Sequence, residues 1–545
     1  MIVNVGALVT VAVCYVVILV LGILAGRKAK HSEKNADTEE VMLAGRNIGK
    51  FVGVFTMTAT WVGGGYINGT AEMVYAARRG DGSGLIWVQA PVGFAISLVL
   101  GGLFYAKKMR SAGYVTMIDP LSQKFGDRMG ALLVLPALCG EIFWSASILS
   151  ALGSSLAVII GLETWLAIIV SAAIALCYTV LGGLYSVAYT DIIQLIFMFI
   201  GLVLAIPFAL THDAVSPITE TSMYDMGGWK GYLDGVGWGL YIDFALLLIF
   251  GGIPWQVYFQ RVLSSKTVDG ARVLSFLGAI GCIVMAIPPV LIGAAGYSAD
   301  WNQTDYASSL TDTGDIEDYR LVLPLVLQYL TPPAVAAIGL GAVSAAVMSS
   351  ADSSMLSSSC LFARNIWKLV FRPNASEREI VWVMRGGQLV FCIIATVMAI
   401  YINSIYGLFV LCADFVYVVL FPQLTLVLYV PWTNTYGSLS GYIISLLLRL
   451  LGGESYLSFP AVMKWPWYDE EYNTQYFPFR TSCMLIGLLV ILMVSYLFKR
   501  LFESGTLDAK YDIFNAVVNE RKQKHEYSTN TSYELSGTVN QALEK

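Results

Sequence analysis

The stretch Thr56-Met57-Thr58-Ala59-Thr60-Trp61-Val62-Gly63-Gly64-Gly65-Tyr66 decides how this chain is read. It lies inside an apolar segment long enough to cross a membrane. Three consecutive glycines are costly in a helix, because glycine loses the most backbone freedom on folding. In lipid, a broken helix also frees backbone N–H and C=O groups. Such a break is tolerated only where it is buried in protein or faces a wet cavity. Trp61 directly precedes the break and delivers a large aromatic face to it. A second segment, Phe250-Gly251-Gly252-Ile253-Pro254-Trp255-Gln256, repeats the pattern with a glycine pair, a proline and another tryptophan. Two Gly/Pro-interrupted spans in corresponding places of two halves point to a transporter's binding site.

Composition sets the class. Of 545 residues, 57% are hydrophobic and only 13% are charged, with a mean hydropathy of +0.67. Soluble domains carry about 25% charged residues, so the chain reads as an all-α polytopic membrane protein. The net charge of −5 is small, and no basic cluster suggests a nucleic-acid partner. Cys14, Cys139, Cys177, Cys282, Cys360, Cys392, Cys412 and Cys483 all fall in apolar segments and read as small packing residues. His31, His212 and His525 show no ligand-like spacing. There is no phosphate-binding loop with lysine, no zinc spacing and no nucleophile elbow, so no enzyme and no cofactor is expected. The run 5–25 lacks a basic segment before it and is followed by Arg27, Lys28 and Lys30, so it reads as a span rather than a signal peptide.

Apolar length gives thirteen spans, at roughly 4–26, 47–76, 84–106, 129–158, 162–182, 188–211, 236–260, 271–297, 331–361, 380–402, 406–430, 436–452 and 482–501. With the N-terminus outside, the inward segments collect Lys28, Lys50, Lys107, Arg110, Arg261, Arg364, Arg378, Lys499 and many other basic residues. The outward ones carry only Arg78, Arg79, Lys230, Arg320, Lys464 and Arg480. This is the positive-inside pattern, and an odd span count leaves the tail 502–545 in the cytoplasm. The sequon Asn302-Gln303-Thr304 then lies outside, where glycosylation is expected, while those at Asn374 and Asn530 face the cytoplasm. The end of the tail is polar and reads as disordered.

Three groups of residues carry the chemistry. Trp61, Trp255 and Trp144, the last in Gly140-Glu141-Ile142-Phe143-Trp144-Ser145, are candidate faces for a quaternary ammonium ion, which cannot donate a hydrogen bond. Gly65 and Tyr66 at the break join this substrate-binding set. Each face contributes about 0.5–2 kcal/mol, whereas micromolar binding needs about 8 kcal/mol, so burial must add to the cage. The bland alternative is packing or an interfacial aromatic belt. The run 341–354 is rich in small residues and reads either as tight helix packing or as a sodium site. For a hard cation, hydroxyls of Ser349 and Ser350, the carbonyl of Ala346 and carbonyls freed near Trp61 would supply oxygen ligands. Acidic residues inside spans, Glu72, Glu141, Asp191, Asp243, Asp352 and Asp414, are functional candidates. Asp352 is the strongest for ion coupling. Asp191 reads alternatively as a cap at its span's start, and Asp243 as a partner of Arg261 or of a helix end. Glu454 sits at an outer span end, where a solvated carboxylate is the default.

Gly182-Gly183-Leu184-Tyr185-Ser186-Val187-Ala188-Tyr189-Thr190-Asp191-Ile192-Ile193-Gln194 resembles the signature of the sodium/solute symporter family, and Phe259-Gln260-Arg261-Val262-Leu263 a second family element. Residues 55–72, 251–265 and 341–354 resemble the choline-transporting branch of that family. The resemblance runs over nearly the whole chain. It implies a LeuT-type 5+5 inverted-repeat fold in a transporter domain 1–501, with repeats at about 47–211 and 236–430 and a cytoplasmic tail 502–545. It implies sodium- and chloride-dependent choline uptake across the plasma membrane of cholinergic nerve terminals, with synaptic-vesicle residence, supplying acetylcholine synthesis. Carried over residue by residue, the sodium ligands fall on Ala59, Val62, Ala346, Ser349 and Ser350, and Asp352 and Glu454 match acidic positions of the choline branch. A homo-oligomer is compatible with this reading. The rival readings are a sodium symporter for another small organic solute and a non-transporting choline sensor or channel on the same scaffold.

Overall fold

A computed structural model describes residues 5–30, 38–179, 184–312, 314–514 and 516. The motif glycines Gly182 and Gly183, His31, Lys34, His525, Asn530 and the tail from 517 on lie outside the described residues. The chain runs through α1 (Val5–Lys30), α2 (Lys50–Trp61), α3 (Gly64–Tyr75), α4 (Ala90–Leu100), α5 (Asp127–Ile160), α6 (Thr164–Thr179), α7 (Leu184–Leu210), α8 (Gly237–Gly251), α9 (Gln256–Ser264), α10 (Val268–Ser298), α11 (Pro333–Leu361), α12 (Glu377–Tyr401), α13 (Ile405–Phe415), α14 (Thr435–Leu451) and α15 (Phe479–Glu503), joined by shorter helical turns. Among the described residues, nine helices are long and apolar enough to cross a membrane.

Burial separates the helices into centre and rim. The most apolar windows of Pro333–Phe371 and Ile405–Tyr429 are each 89% buried and that of Asp127–Ile160 is 78% buried, against 39% for α12 and 28% for α15. A helix apolar all round belongs inside, and one with an exposed apolar face meets lipid. The centre is built from small residues because backbones must come close. A Cβ placed on Gly201 of α7 would stand 2.3 Å from Ala342 Cβ of α11. The small-residue run 341–354 therefore does pack tightly, as one of its two readings requires.

Both breaks are present. α2 stops at Trp61, Val62 turns out of the helix (φ −92°, ψ 69°), Gly63 is extended (φ −106°, ψ −165°), and α3 resumes at Gly64. Gly64 and Gly65 are thus helical. The glycines serve close approach: a Cβ would lie 1.7 Å from Ser350 Oγ at Gly63, 2.6 Å from Val347 Cγ2 at Gly64 and 2.4 Å from Ser147 Oγ at Gly65. The second break separates α8 from α9 between Gly251 and Gln256. There a Cβ on Gly251 would meet Ala413 O at 2.6 Å, and one on Gly252 would meet Ser97 Oγ at 2.5 Å. Away from the breaks, the start of α2 and the end of α9 are joined by a short parallel bridge, with Ile48 N donating to Ser264 O (3.1 Å) and Lys266 N to Ile48 O (2.9 Å).

Several acidic residues inside spans prove structural. Glu72 accepts from Ser404 Oγ (2.7 Å), Ile405 N (2.9 Å) and Tyr406 N (3.3 Å), so it caps the start of α13. Asp243 takes the helix-end alternative rather than Arg261: it accepts from Thr481 N (2.8 Å), Thr481 Oγ1 (2.6 Å) and Arg480 N (3.2 Å) at the start of α15. A carboxylate at a helix N-terminus satisfies orphan N–H groups and meets the positive end of the dipole.

The default of a solvated Glu454 is corrected. Its carboxylate is 5% exposed and pairs with Arg449 Nη2 (2.5 Å) and Arg480 Nη2 (2.8 Å). Arg449 also donates through Nε to both oxygens of Asp414, at 2.9 and 2.8 Å. Buried charges must be paired and hydrogen-bonded, and two arginines from α14 and α15 answer three carboxylates here. Arg480 is therefore spent inside the protein. Arg78 is spent likewise, on Asp315 (2.7 Å) and on the carbonyls of Tyr297 and Ala299. In the 112–126 linker, burial alone would raise the Asp119 carboxyl, but Arg364 and hydrogen bonds from Thr116 and Val115 hold it below its usual value. All eight cysteines are free.

Two outcomes are expected. Gly63→Ala should destabilise the detergent-purified protein by about 1–3 kcal/mol, as an overpacked core does, and Ser350→Gly in the same chain should restore part of the loss. An unchanged melting curve for Gly63→Ala would remove the close-approach argument. Arg449→Leu leaves two buried carboxylates short of a partner and should cost about 3–5 kcal/mol, read as a lowered thermal midpoint, with Arg449→Lys between it and the parent.

Candidate functional site

The two breaks bring their tryptophans together. The rings of Trp61 and Trp255 meet edge to face at 5.0 Å between centroids (80°), and Trp144 of α5 lies 5.0 Å from Trp255. Two rings not anticipated from the sequence complete the cluster. Phe94 of α4 lies 4.9 Å from Trp61 and 5.8 Å from Trp255, and Phe409 of α13 lies 5.3 Å from Phe94. All five side chains are buried. Phe94 and Phe409 sit in spans already rich in aromatic and aliphatic residues, where nothing local marks them out.

Gly65 abuts Phe409 and Ser147. Tyr66 touches the cluster only through Phe409, at 6.3 Å, and its hydroxyl donates to Cys282 O at 2.6 Å. Five π faces within reach of one another suit a cation that offers no hydrogen-bond donors. Trp61 Nε1 has no hydrogen-bond partner. The interfacial-belt reading fails for these three tryptophans, since each is 3% exposed in the interior.

Directly beside the first break lies a group of hydroxyls and carboxylates. Ser350 of α11 packs against Gly63, and its hydroxyl points to Thr60 O at 3.4 Å. Ala59 lies in the last turn of α2 and Val62 is its cap, so their carbonyls belong to the set a helix end leaves without an intrahelical donor. Ala346 stands one turn before Ser350 on α11, and all of these residues are buried. Ser349 donates to Asp191 Oδ1, and Thr56 donates to Asp191 Oδ2. Oxygen atoms of two helices thus converge on the break, the donor set a hard monovalent cation requires.

Asp191 is not a cap at a span's start. α7 runs from Leu184, so Asp191 stands in its second turn, fully buried against α2 and α11. Arg261 of α9 approaches it at 4.0 Å and donates to Ser353 Oγ at 2.5 Å. Ser353 in turn meets Thr60 Oγ1 at 3.4 Å. Glu141, one turn before Trp144, accepts from Ser357 Oγ at 2.6 Å. Asp352 accepts from Thr179 Oγ1 of α6 at 2.6 Å, on the side of α11 that meets α6. Glu454 belongs to the arginine network of α14 and α15. Asn302 is exposed in the turn Trp301–Gln303.

Comparison with known proteins places this geometry. The chain is 55% identical over 95% of its length to High-affinity choline transporter 1 of Drosophila melanogaster, covering 82% of that protein. It is 54% identical over 94% of its length to the Caenorhabditis elegans protein of the same name, covering 88% of it, and 52% identical over 96% to that of Homo sapiens, covering 90%. Among solved structures, a Na+-coupled sialic acid symporter in a substrate-bound outward-open state superposes with a TM-score of 0.71 at 16% identity, covering 90% of this chain and 98% of that one. Mhp1, a nucleobase-cation-symport-1 family transporter, superposes with a TM-score of 0.54 at 13% identity, covering 85% and 96%. These two share the fold, a LeuT-like helical bundle. The sequence profile of the sodium:solute symporter family matches residues 41–445, and the chain belongs to that family.

Proposed function

We propose that this chain couples the inward movement of sodium to the uptake of choline by alternating access. The observation that carries the reading is the meeting of Trp61, Trp144 and Trp255 with Phe94 and Phe409 where the two broken helices cross. A quaternary ammonium is recognised by π faces and burial. A sugar or an amino acid would need several hydrogen-bonding side chains there instead. The names of the relatives at 52–55% identity support the same substrate.

In this reading sodium is held by the carbonyls of Ala59, Val62 and Ala346 and the hydroxyls of Ser349 and Ser350. It pins α11 to the break of α2, and so presents Trp61 to choline. The cluster rings lie in contact with one another, so choline binding moves them apart. Sodium and choline each carry one positive charge, and voltage acts on each at about 2.3 kcal/mol per 100 mV, so a negative interior draws both inward. Asp352 and Glu454 act in ion coupling from outside the hydroxyl set, and Tyr66 and Gly65 shape the site through Phe409. The wider proposal has thirteen spans, repeats at 47–211 and 236–430, an outside N-terminus, a cytoplasmic tail, glycosylation at Asn302 and a chloride requirement. It also includes plasma-membrane, presynaptic and vesicle residence, with acetylcholine supply as the purpose.

Radiolabelled choline uptake in cells expressing the chain should be saturable and should vanish when sodium is replaced. Uptake that persists without sodium, or fails to appear in surface-expressed protein, would sink the proposal. Trp61→Ala and Trp255→Ala should each raise the KM for choline about two- to thirtyfold, the range one cation–π contact supplies, with Trp→Phe nearer the parent. Ser349→Ala should instead raise the sodium concentration needed for half-maximal uptake by about tenfold or more.

A further inference from the structure

We propose that Ser97 receives the hydroxyl group of the substrate and makes the site selective for a hydroxyalkyl ammonium over an alkyl one. The inference rests on the choline reading and names a specificity residue for it. Ser97 lies on α4, one turn after Phe94, and is 1% exposed. Its hydroxyl has no hydrogen-bond partner. Buried hydroxyls on the other helices commonly bond back one turn, as Ser154 does to Ser150 O (2.7 Å), Thr179 to Ala175 O (2.8 Å) and Ser445 to Gly441 O (2.7 Å). Ser97 does not. A buried hydroxyl without a partner costs free energy, and such groups call for an explanation.

Its position supplies one. A Cβ on Gly252 would stand 2.5 Å from Ser97 Oγ and 2.9 Å from Phe94 Cδ1, so both side chains face the second break. Phe94 belongs to the aromatic cluster, against Trp61 at 4.9 Å and Trp255 at 5.8 Å. Three residues rise about 4.5 Å along a helix, which a two-carbon arm carrying a hydroxyl spans with a hydrogen bond at its end. With its ammonium head on Phe94 and the tryptophans, a hydroxyethyl ammonium lays its hydroxyl beside Ser97. Trp61 Nε1 and Trp255 Nε1 are also unpaired in the cluster, but an indole N–H only donates. A serine hydroxyl both donates and accepts, matching an alcohol in either sense. A site built to bond a substrate hydroxyl rejects the analogue that lacks it, because its own polar group then stays buried and unpaired.

The test is competition against radiolabelled choline uptake by choline and by ethyltrimethylammonium, which keeps the head and lacks the hydroxyl. The parent protein should favour choline by at least threefold. Ser97→Ala should weaken choline about three- to tenfold, the scale of one neutral hydrogen bond, and leave ethyltrimethylammonium within twofold, so that the preference collapses. A parallel loss for both compounds marks a packing role and overturns the inference, as does an unchanged preference. Should Ser97→Ala fail to reach the surface, the parent alone decides: less than twofold preference for choline overturns the inference. Absence of sodium-dependent choline uptake by the parent overturns the choline reading and this inference together, whereas intact uptake without the expected selectivity change overturns this inference alone.

Discussion

Everything central in this molecule depends on the contact of Ser350 with Gly63. A helix broken inside a membrane leaves carbonyl and amide groups that water does not reach, and each one costs several kcal/mol unless something meets it. α11 meets them here. It comes so close that no side chain fits at Gly63, and a hydroxyl takes the space a methyl would fill. That requirement explains the composition of α11, where alanine, glycine and serine leave room for backbone approach and serine returns the lost polarity. Packing and ion binding, two readings that compete in the sequence, are one arrangement in the fold. The helix that packs tightly enough to cover the break is also the one that brings oxygen to it.

The second constraint is aromatic. Five rings from five separate segments meet at the crossing of the breaks, and Phe94 joins the Trp61 side to the Phe409 side. Edge-to-face contacts near 5 Å are favourable in themselves, at about 0.5–1.5 kcal/mol per pair. The cluster is therefore stable without a ligand, and a cation entering it replaces ring–ring contacts with cation–ring contacts. Net affinity is the difference of the two, which is why rings alone fall short of micromolar binding and a hydroxyl partner adds to selectivity.

Much of this was legible in the sequence, for a physical reason: helix breaks, tryptophans and small-residue runs are local signals. Spacing and residue type mark the breaks at Gly63 and Gly252, the three tryptophans and the serine pair. The misses share a different character. Thr56 and Asp191 are 135 residues apart, and Arg261 and Ser353 are 92 apart. No local pattern announces that such groups will meet, so Asp191 read as a cap. Glu454 read as solvated because it sits near a span end, yet Arg449 and Arg480 bury it. Glu72 and Asp243 look functional by the rule that acids in membranes are costly, and the fold uses them to cap helices instead. Phe94 and Phe409 are ordinary residues until the chain is folded.

Arg261 shows how the two broken helices are held to one another. It stands on α9, beyond the second break, yet its guanidinium reaches Ser353 on α11 and Asp191 on α7. Asp191 in turn holds Ser349 and Thr56, which flank the first break. A buried arginine of this kind contributes little net stability, because desolvation consumes most of its Coulomb gain. What it imposes is a geometric condition. If α9 shifts and leaves α11 behind, a charge-assisted hydrogen bond breaks in a low-dielectric interior, where an unpaired charge is most costly. The cheaper displacement carries Ser353 and its helix along. The hydroxyls of α11 and the guanidinium of α9 thus belong to one continuous set of polar contacts beside the first break.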